Sequence, residues 1–219
     1  MKLLLTGFEP FGGSHINPSE QVVLALAHDG IAGVELRAGI LPVDRTHSAA
    51  KAIALIAQFQ PDAIVCLGEA GRRHTLNIER VGINLMDYRI ADNSGNLVAD
   101  EPIVRGGPAA YFSTLPVRAM LAAVLEAGVP AELSLSAGAF LCNQVTYAVL
   151  DYLAVLNLST PAGFIHLPSL PEQAARRDPL IPSMALETMV KGVRAAIGAI
   201  GATLKESAER RGVAMESPS

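Results

Sequence analysis

Short apolar runs alternate with segments of helical spacing along the chain. The first run, Lys2 to Thr6, reads as a strand ending at Gly7. Gly7 to Pro18 follows as a loop rich in Gly, Pro and Phe. Asn17-Pro18-Ser19-Glu20 then predicts a helix start. Asn17 suits the cap and Pro18 the first helical position, and Val22, Val23 and Leu26 follow on one face. Val34 to Leu41 predicts a second strand, closed by Pro42. Thr46 to Phe59 predicts a helix with Ala50, Ile53, Ala54 and Ala57 on one side. Asp62 to Leu67 is a continuously apolar strand, the kind a sheet buries on both faces.

The middle of the chain, Gly68 to Pro108, changes character. Gly, Asn, Asp and Arg interrupt short alternating stretches such as Thr75 to Asn84, which predict a short strand or hairpin and then a long ordered loop. Loops of that length in a compact domain are usually functional. A helix over Leu115 to Ala127, a strand over Glu132 to Ser136, a helix over Asn143 to Leu156 and a strand over Gly163 to Leu167 come next. A last helix is expected from about Ser183 to Ala208, with a polar, frayed tail from Arg211 to Ser219. Strands alternating with helices imply an α/β fold with helices on both faces of the sheet. With no repeat or linker in view, residues 1–210 read as one domain and 211–219 as its tail.

Composition narrows the field. Hydrophobic residues make up 50% of the 219, which excludes general disorder, and a chain of this length buries a core without staples. Charged residues are only 17% and the net charge is -4, so neither nucleic acid nor an anionic membrane is an expected partner. No run approaches the roughly 18 apolar residues of a membrane span, and the N-terminal run is too short for a signal peptide. The expectation is a cytoplasmic protein whose two cysteines, Cys66 and Cys142, are free thiols. No pattern of metal ligands occurs, and no cofactor or metal is expected. Gly7, Gly12 and Gly13 match neither a dinucleotide loop nor a P-loop and read as turn residues.

In open α/β sheets, ligands bind beyond the carboxyl ends of the strands. Four unusual segments fall at such ends: Gly7 to Asn17, Gly68 to Asn84, Gly138 to Asn143, and His166-Leu167-Pro168. Cys142, just ahead of a helix, is the candidate nucleophile. Unpaired N–H groups at a helix start favour the thiolate and can hold an oxyanion. Cys66, inside an apolar strand, reads as core. His166, at a strand end, is the candidate base. His15 and His74 in rim loops are its rivals, while His28 and His47 sit in exposed helical contexts. A carboxylate to orient the imidazole could be Glu69, Glu79, Asp87 or Asp92, and local reasoning does not choose among them. Phe8, Phe11 and Phe140 stand out in a chain with six Phe, four Tyr and no Trp, and can wall an apolar pocket beside the thiol.

These segments together resemble a known family. The blocks are Gly7-Phe8-Glu9-Pro10-Phe11-Gly12-Gly13, Asn17-Pro18-Ser19, Glu79-Arg80-Val81-Gly82-Ile83-Asn84 and Asp87-Tyr88-Arg89-Ile90-Ala91-Asp92-Asn93. Gly107 to Pro116, Ser136 to Asn143 and Gly163 to Pro168 complete them in order. The chain is similar to pyroglutamyl-peptidase I (pyrrolidone-carboxylate peptidase), a family of cysteine peptidases, to about residue 195.

The resemblance implies removal of an N-terminal pyroglutamyl residue from peptides, without cofactor, by Glu79, Cys142 and His166. It implies a three-layer α/β/α sandwich with a twisted mixed, mostly parallel sheet, assembled as a homo-oligomer (tetramer or dimer). It places Arg89 and the Cys142 N–H near the oxyanion. Phe8, Phe11, Asn17, Glu69, Phe140 and Leu141 are implied at the substrate. The chain departs from the family at Glu69 (usually Gln), Arg72 (usually Gly), Ala139 (usually Thr) and Leu141 (usually Val). Arg72 stands where a positive φ is expected, and its charge is placed to pair with Glu69.

Overall fold

The computed structural model describes residues 1–215, with side chains described for residues 1–210. In chain order the elements are β1 (Lys2–Phe8), α1 (Pro18–Asp29), β2 (Glu35–Leu41), α2 (His47–Phe59) and β3 (Ala63–Glu69). Next are β4 (Leu76–Glu79), β5 (Val81–Ile83), β6 (Ala110–Phe112), α3 (Val117–Glu126) and β7 (Ala131–Ser134). The last four are α4 (Leu141–Val155), β8 (Ala162–Leu167), α5 (Pro171–Ala174) and α6 (Leu186–Met215).

Six strands form one sheet in the order β2-β1-β3-β8-β4-β7. β2, β1, β3 and β8 run parallel, whereas β4 is antiparallel to β8 and parallel to β7. The sheet is therefore mixed, with its reversal between β8 and β4.

Side-chain alternation divides the core in two. Leu3, Leu5, Val65, Leu67, Ile165 and Leu167 face α1, α3 and α6, meeting Val22, Leu26, Met120, Val193 and Ile197. Leu4, Ile64, Cys66 and Phe164 face α2 and α4, meeting Ile56, Leu141, Val145 and Val149. Helices thus cover both faces, and the result is the expected α/β/α sandwich. Among the described residues no helix is long and apolar enough to cross a membrane.

α4 is buried on almost every side, from Asn143 through Leu150. The cover over its outer side is a small antiparallel pair, β5 with β6. Gly82 in β5 allows the approach, because a Cβ there would lie 3.0 Å from the backbone nitrogen of Tyr147. Between β5 and β6 the chain makes the long ordered excursion expected from sequence. Asn84 pins it, donating to Val104 O at 2.8 Å and accepting from Val104 N–H at 2.9 Å. Met86 and Glu101 exchange backbone hydrogen bonds across it.

Several boundaries differ from expectation. β1 continues to Phe8 rather than stopping at Thr6. The short α5 follows β8 and carries no sequence signal beyond Pro171. α6 begins at Leu186 and continues to Met215, so the tail expected from Arg211 is helical for its first five residues. The pairs Lys205–Glu209 and Glu206–Arg210, at i,i+4, support that extension. Residues 216–219 of the expected tail lie outside the described residues.

The N-cap reading of Asn17 holds in detail. Its Oδ1 accepts from Ser19 N–H at 2.9 Å and from Ser19 Oγ at 2.8 Å, and its Nδ2 donates to Glu9 O at 2.9 Å. The Asn17→Ala variant is expected to lose about 1–2 kcal/mol of stability. Urea unfolding should show this as a lower midpoint at unchanged slope.

Candidate active site

Parity on the sheet brings the candidate acid and imidazole together. In the antiparallel β4–β8 pair, Glu79 lies opposite Phe164. His166 is two residues beyond Phe164 and shares its face, so Glu79 and His166 are diagonal neighbours within side-chain reach. His166 Nδ1 and Glu79 Oε1 stand 2.8 Å apart. An ionised carboxylate only accepts, so the neutral imidazole carries its proton on Nδ1 and keeps Nε2 as a free acceptor.

Glu79 is 1% exposed. A carboxylate so deep needs a counter-charge, and Arg73 supplies one. Arg73 Nη1 donates to the same Oε1 at 2.7 Å and to Ser134 Oγ at 3.2 Å, while its Nη2 donates to Ser136 O at 2.7 Å. Arg73 therefore ties the acid to the segment that leads into Cys142. Glu79 Oε2 has no partner. A buried oxygen left unpaired makes the carboxylate gain more when positive charge develops on the imidazole.

The thiol reaches the same face from α4. Phe140 precedes the helix in an extended conformation and Cys142 sits in the first turn, half-buried. Its sulfur packs over Gly68, where a Cβ would stand only 2.8 Å away. Gly68 is the register partner of His166 on the adjacent strand. Gly68 thus leaves room for the sulfur beside the strand that carries His166.

The helix start lowers the Cys142 thiol as expected, but other groups oppose it. Burial, then the Glu79 and Glu69 carboxylates, push the Cys142 thiol up to about 12, against its own backbone N–H and Arg73. The negative neighbours and burial oppose the pull of the helix end toward the thiolate. Cys66 is core, as expected, and burial pushes it up to about 11.

The remaining candidates sort by geometry. His15, His28, His47 and His74 are all exposed, and His47 pairs with Asp44 at 2.7 Å. Asp92 accepts from Arg45 N–H and the Asn96 side chain and is occupied within its own loop. Asp87 is exposed. Glu69 accepts from Ser169 Oγ at 2.7 Å and from Gln173 Nε2 at 3.2 Å. Arg72 takes no positive φ and, among the described residues, makes no ion pair with Glu69. Arg89 is exposed on a loop anchored to the nucleophile segment by the Asp87 N–H bond to Ala139 O at 3.0 Å.

Of the implied pocket residues, Phe11 and Phe140 are partly exposed, with ring centroids 6.1 Å apart. Tyr88 backs Phe140 edge-on at 4.7 Å. Phe8 and Leu141 instead turn into the core, at 3% and 1% exposure. Asn17 is fully buried, its Oδ1 capping α1 and its Nδ2 donating to Glu9 O. The sequence reading did not single out Gly68 or Arg73. The only signal for Arg73 was its place in a rim loop, shared with Arg72. Among the described residues no group of three His, Cys, Asp or Glu side chains is arranged to hold a metal.

A family model described as pyroglutamyl peptidase matches residues 1–203. The chain belongs to the pyroglutamyl peptidase family. It is 44% identical over 205 residues to the pyrrolidone-carboxylate peptidase of Coprothermobacter proteolyticus, covering 94% of this chain and 99% of that one. The pyrrolidone-carboxylate peptidase of Thermococcus onnurineus is 48% identical over 191 residues, covering 87% and 94%. The crystal structure of Bacillus amyloliquefaciens pyroglutamyl peptidase I superposes with a TM-score of 0.88 at 37% identity, covering 92% and 97%. A mutant pyrrolidone carboxyl peptidase from Pyrococcus furiosus gives 0.89 at 38%, covering 93% and 100%. Membership of this family makes the chain a cysteine peptidase, a hydrolase of peptide bonds.

The charges around the sulfur give a paired prediction. Glu69→Gln removes a negative neighbour, so the pH midpoint of Cys142 alkylation by iodoacetamide should fall. Arg73→Met removes a positive neighbour, so the midpoint should rise, and Arg73→Lys should restore most of it.

Proposed function

We propose that this chain hydrolyses the amide bond after an N-terminal pyroglutamyl residue, with Cys142 as nucleophile, His166 as base and Glu79 as the acid that orients His166. The observation that carries the reading is the Glu79–His166 contact at 2.8 Å, on the face where the Cys142 sulfur packs over Gly68. With burial and the neighbouring carboxylates raising the thiol, proton transfer accompanies attack. His166 Nε2 takes the thiol proton as Cys142 Sγ bonds to the carbonyl carbon. Glu79 stabilises the imidazolium across its hydrogen bond. The carbonyl π electrons move to oxygen, and that oxyanion meets the N–H groups at the start of α4, Cys142 N–H among them. The exposed Arg89 guanidinium is free to swing toward the same charge.

Collapse of the intermediate breaks the C–N bond. The leaving amine takes the proton from His166, and a thioester remains on Cys142. Water, deprotonated by His166 Nε2, then attacks the thioester. The C–S bond breaks, pyroglutamate leaves, and the proton returns to the sulfur.

Phe11 and Phe140 supply flat apolar walls of the size of a lactam ring, with Phe8 and Leu141 supporting them from the core. A free amino terminus carries an ammonium that such walls do not pair, which selects the cyclised residue. We read residues 1–210 as one peptidase domain of a cytoplasmic protein. Exposed Phe112, Leu135 and Val155 favour a homo-oligomer, tetramer or dimer. Light scattering on the purified protein reads the oligomer directly.

Release of coumarin from pyroglutamyl-aminomethylcoumarin tests the reaction. The wild-type protein should turn it over, with prolyl and alanyl analogues slower by orders of magnitude. Cys142→Ala should abolish turnover. Activity retained in that variant would mean another nucleophile.

A further inference from the structure

The rim carries a second opening whose walls the proposed chemistry does not use. It is a cavity of about 410 Å³ between the first loop and the turn after α5. Ser14, His15, Glu172, Gln173, Arg176 and Arg177 contribute to its lining. That volume lies within the range of small-ligand sites. Its charge is unbalanced toward positive. Arg176 and Arg177 oppose a single carboxylate, Glu172, in a chain whose overall charge is -4. Both arginines are held at the mouth by backbone hydrogen bonds, Arg176 N–H to Gln173 O at 3.3 Å and Arg177 N–H to Ala174 O at 3.0 Å. Among the described residues neither guanidinium makes an ion pair.

A chain of contacts links the cavity to the nucleophile. Gln173 Nε2 donates to Ser14 Oγ at 3.1 Å, Ile16 O at 3.2 Å and Glu69 Oε2 at 3.2 Å. Glu69 adjoins Gly68, on which the Cys142 sulfur rests. One glutamate side chain and one hydrogen bond therefore separate the floor of the reaction from the cavity. An extended peptide advances about 3.3–3.6 Å per residue, so a leaving portion that runs toward this cavity meets the arginines within a few residues. Substrate chemistry decides which part of a peptide this is. A pyroglutamyl residue is N-terminal and cyclised, so no chain precedes it. Peptide-binding surface beyond the ring walls therefore serves the leaving portion.

We infer that this cavity is a subsite for a carboxylate on the leaving peptide, two or three residues past pyroglutamate, held by Arg176 and Arg177. The inference rests on the pyroglutamyl-peptidase reading and deepens it by naming a substrate class. The carboxylate belongs either to an Asp or Glu side chain or to the C-terminus of a short peptide, and the two sources share one chemistry.

The test compares kcat/KM for four substrates at low salt: pyroglutamyl-Ala-Glu-amide, pyroglutamyl-Ala-Lys-amide, pyroglutamyl-Ala-Ala-amide and the last with a free C-terminus. A carboxylate-bearing substrate should exceed the neutral amide by about three- to tenfold, mostly through KM, and the lysine peptide should fall below it. Which carboxylate gains identifies the source. In the Arg176→Gln/Arg177→Gln protein the advantage should collapse to near one, with hydrolysis of pyroglutamyl-coumarin unchanged. Raising salt to about 0.5 M should shrink the advantage in the wild-type protein without any substitution. Equal rates for all four peptides, or a preference that survives the double substitution, would overturn the subsite. Absence of pyroglutamyl-coumarin hydrolysis by the wild-type protein would instead sink the reaction itself, and the subsite with it.

Discussion

Glu79 is a carboxylate that the sheet removes from water and leaves with one bonded oxygen for two donors. That contact organises the site. His166 Nδ1 and Arg73 Nη1 both meet Oε1, at 2.8 and 2.7 Å, while Oε2 stays unpaired. An under-satisfied buried anion has little to lose and much to gain from a positive charge forming on the imidazole. Arg73 keeps that anion tolerable at rest, and its other bonds hold the strand exit that leads into Cys142. The site is thus built around acid and base, with the sulfur brought to the same face by α4.

The reversal of β4 against β8 is what makes the contact possible. Had β4 run parallel, the same residues would have met β8 in a different register, and Glu79 would not lie diagonal to His166. The same face receives α4, whose first turn carries Cys142 and whose outer side is sealed by β5 and β6. The buried Glu79–His166 contact sits beneath this cover, and burial there strengthens the hydrogen bond and raises the Cys142 thiol.

The sandwich was legible because its central strands are largely apolar, as in Leu3 to Leu5 and Ile64 to Leu67, and its helices have helical spacing. Cys142 and His166 were legible because each stands where a strand or helix ends. The choice of Glu79 over Glu69, Asp87 and Asp92 was not, since it depends on a register between strands about ninety residues apart in sequence. The start of α4 slipped by two residues for a related reason. Asn143 looks like a cap, yet its amide bonds the backbone of Ile83 and Leu85, so the helix begins earlier, at Leu141. Asn17 illustrates the converse: its local capping pattern describes its bonded partners, Ser19 and the Glu9 carbonyl.

The central claim is that one sulfur, activated through His166 and Glu79, forms the acyl bond. Peptide mapping after treatment with a pyroglutamyl chloromethyl ketone addresses it most directly. The account predicts a single adduct, on Cys142, forming at least about 100-fold more slowly in Glu79→Gln. An adduct on Cys66, or equally fast labelling of Cys142 when Glu79 is replaced, would contradict it.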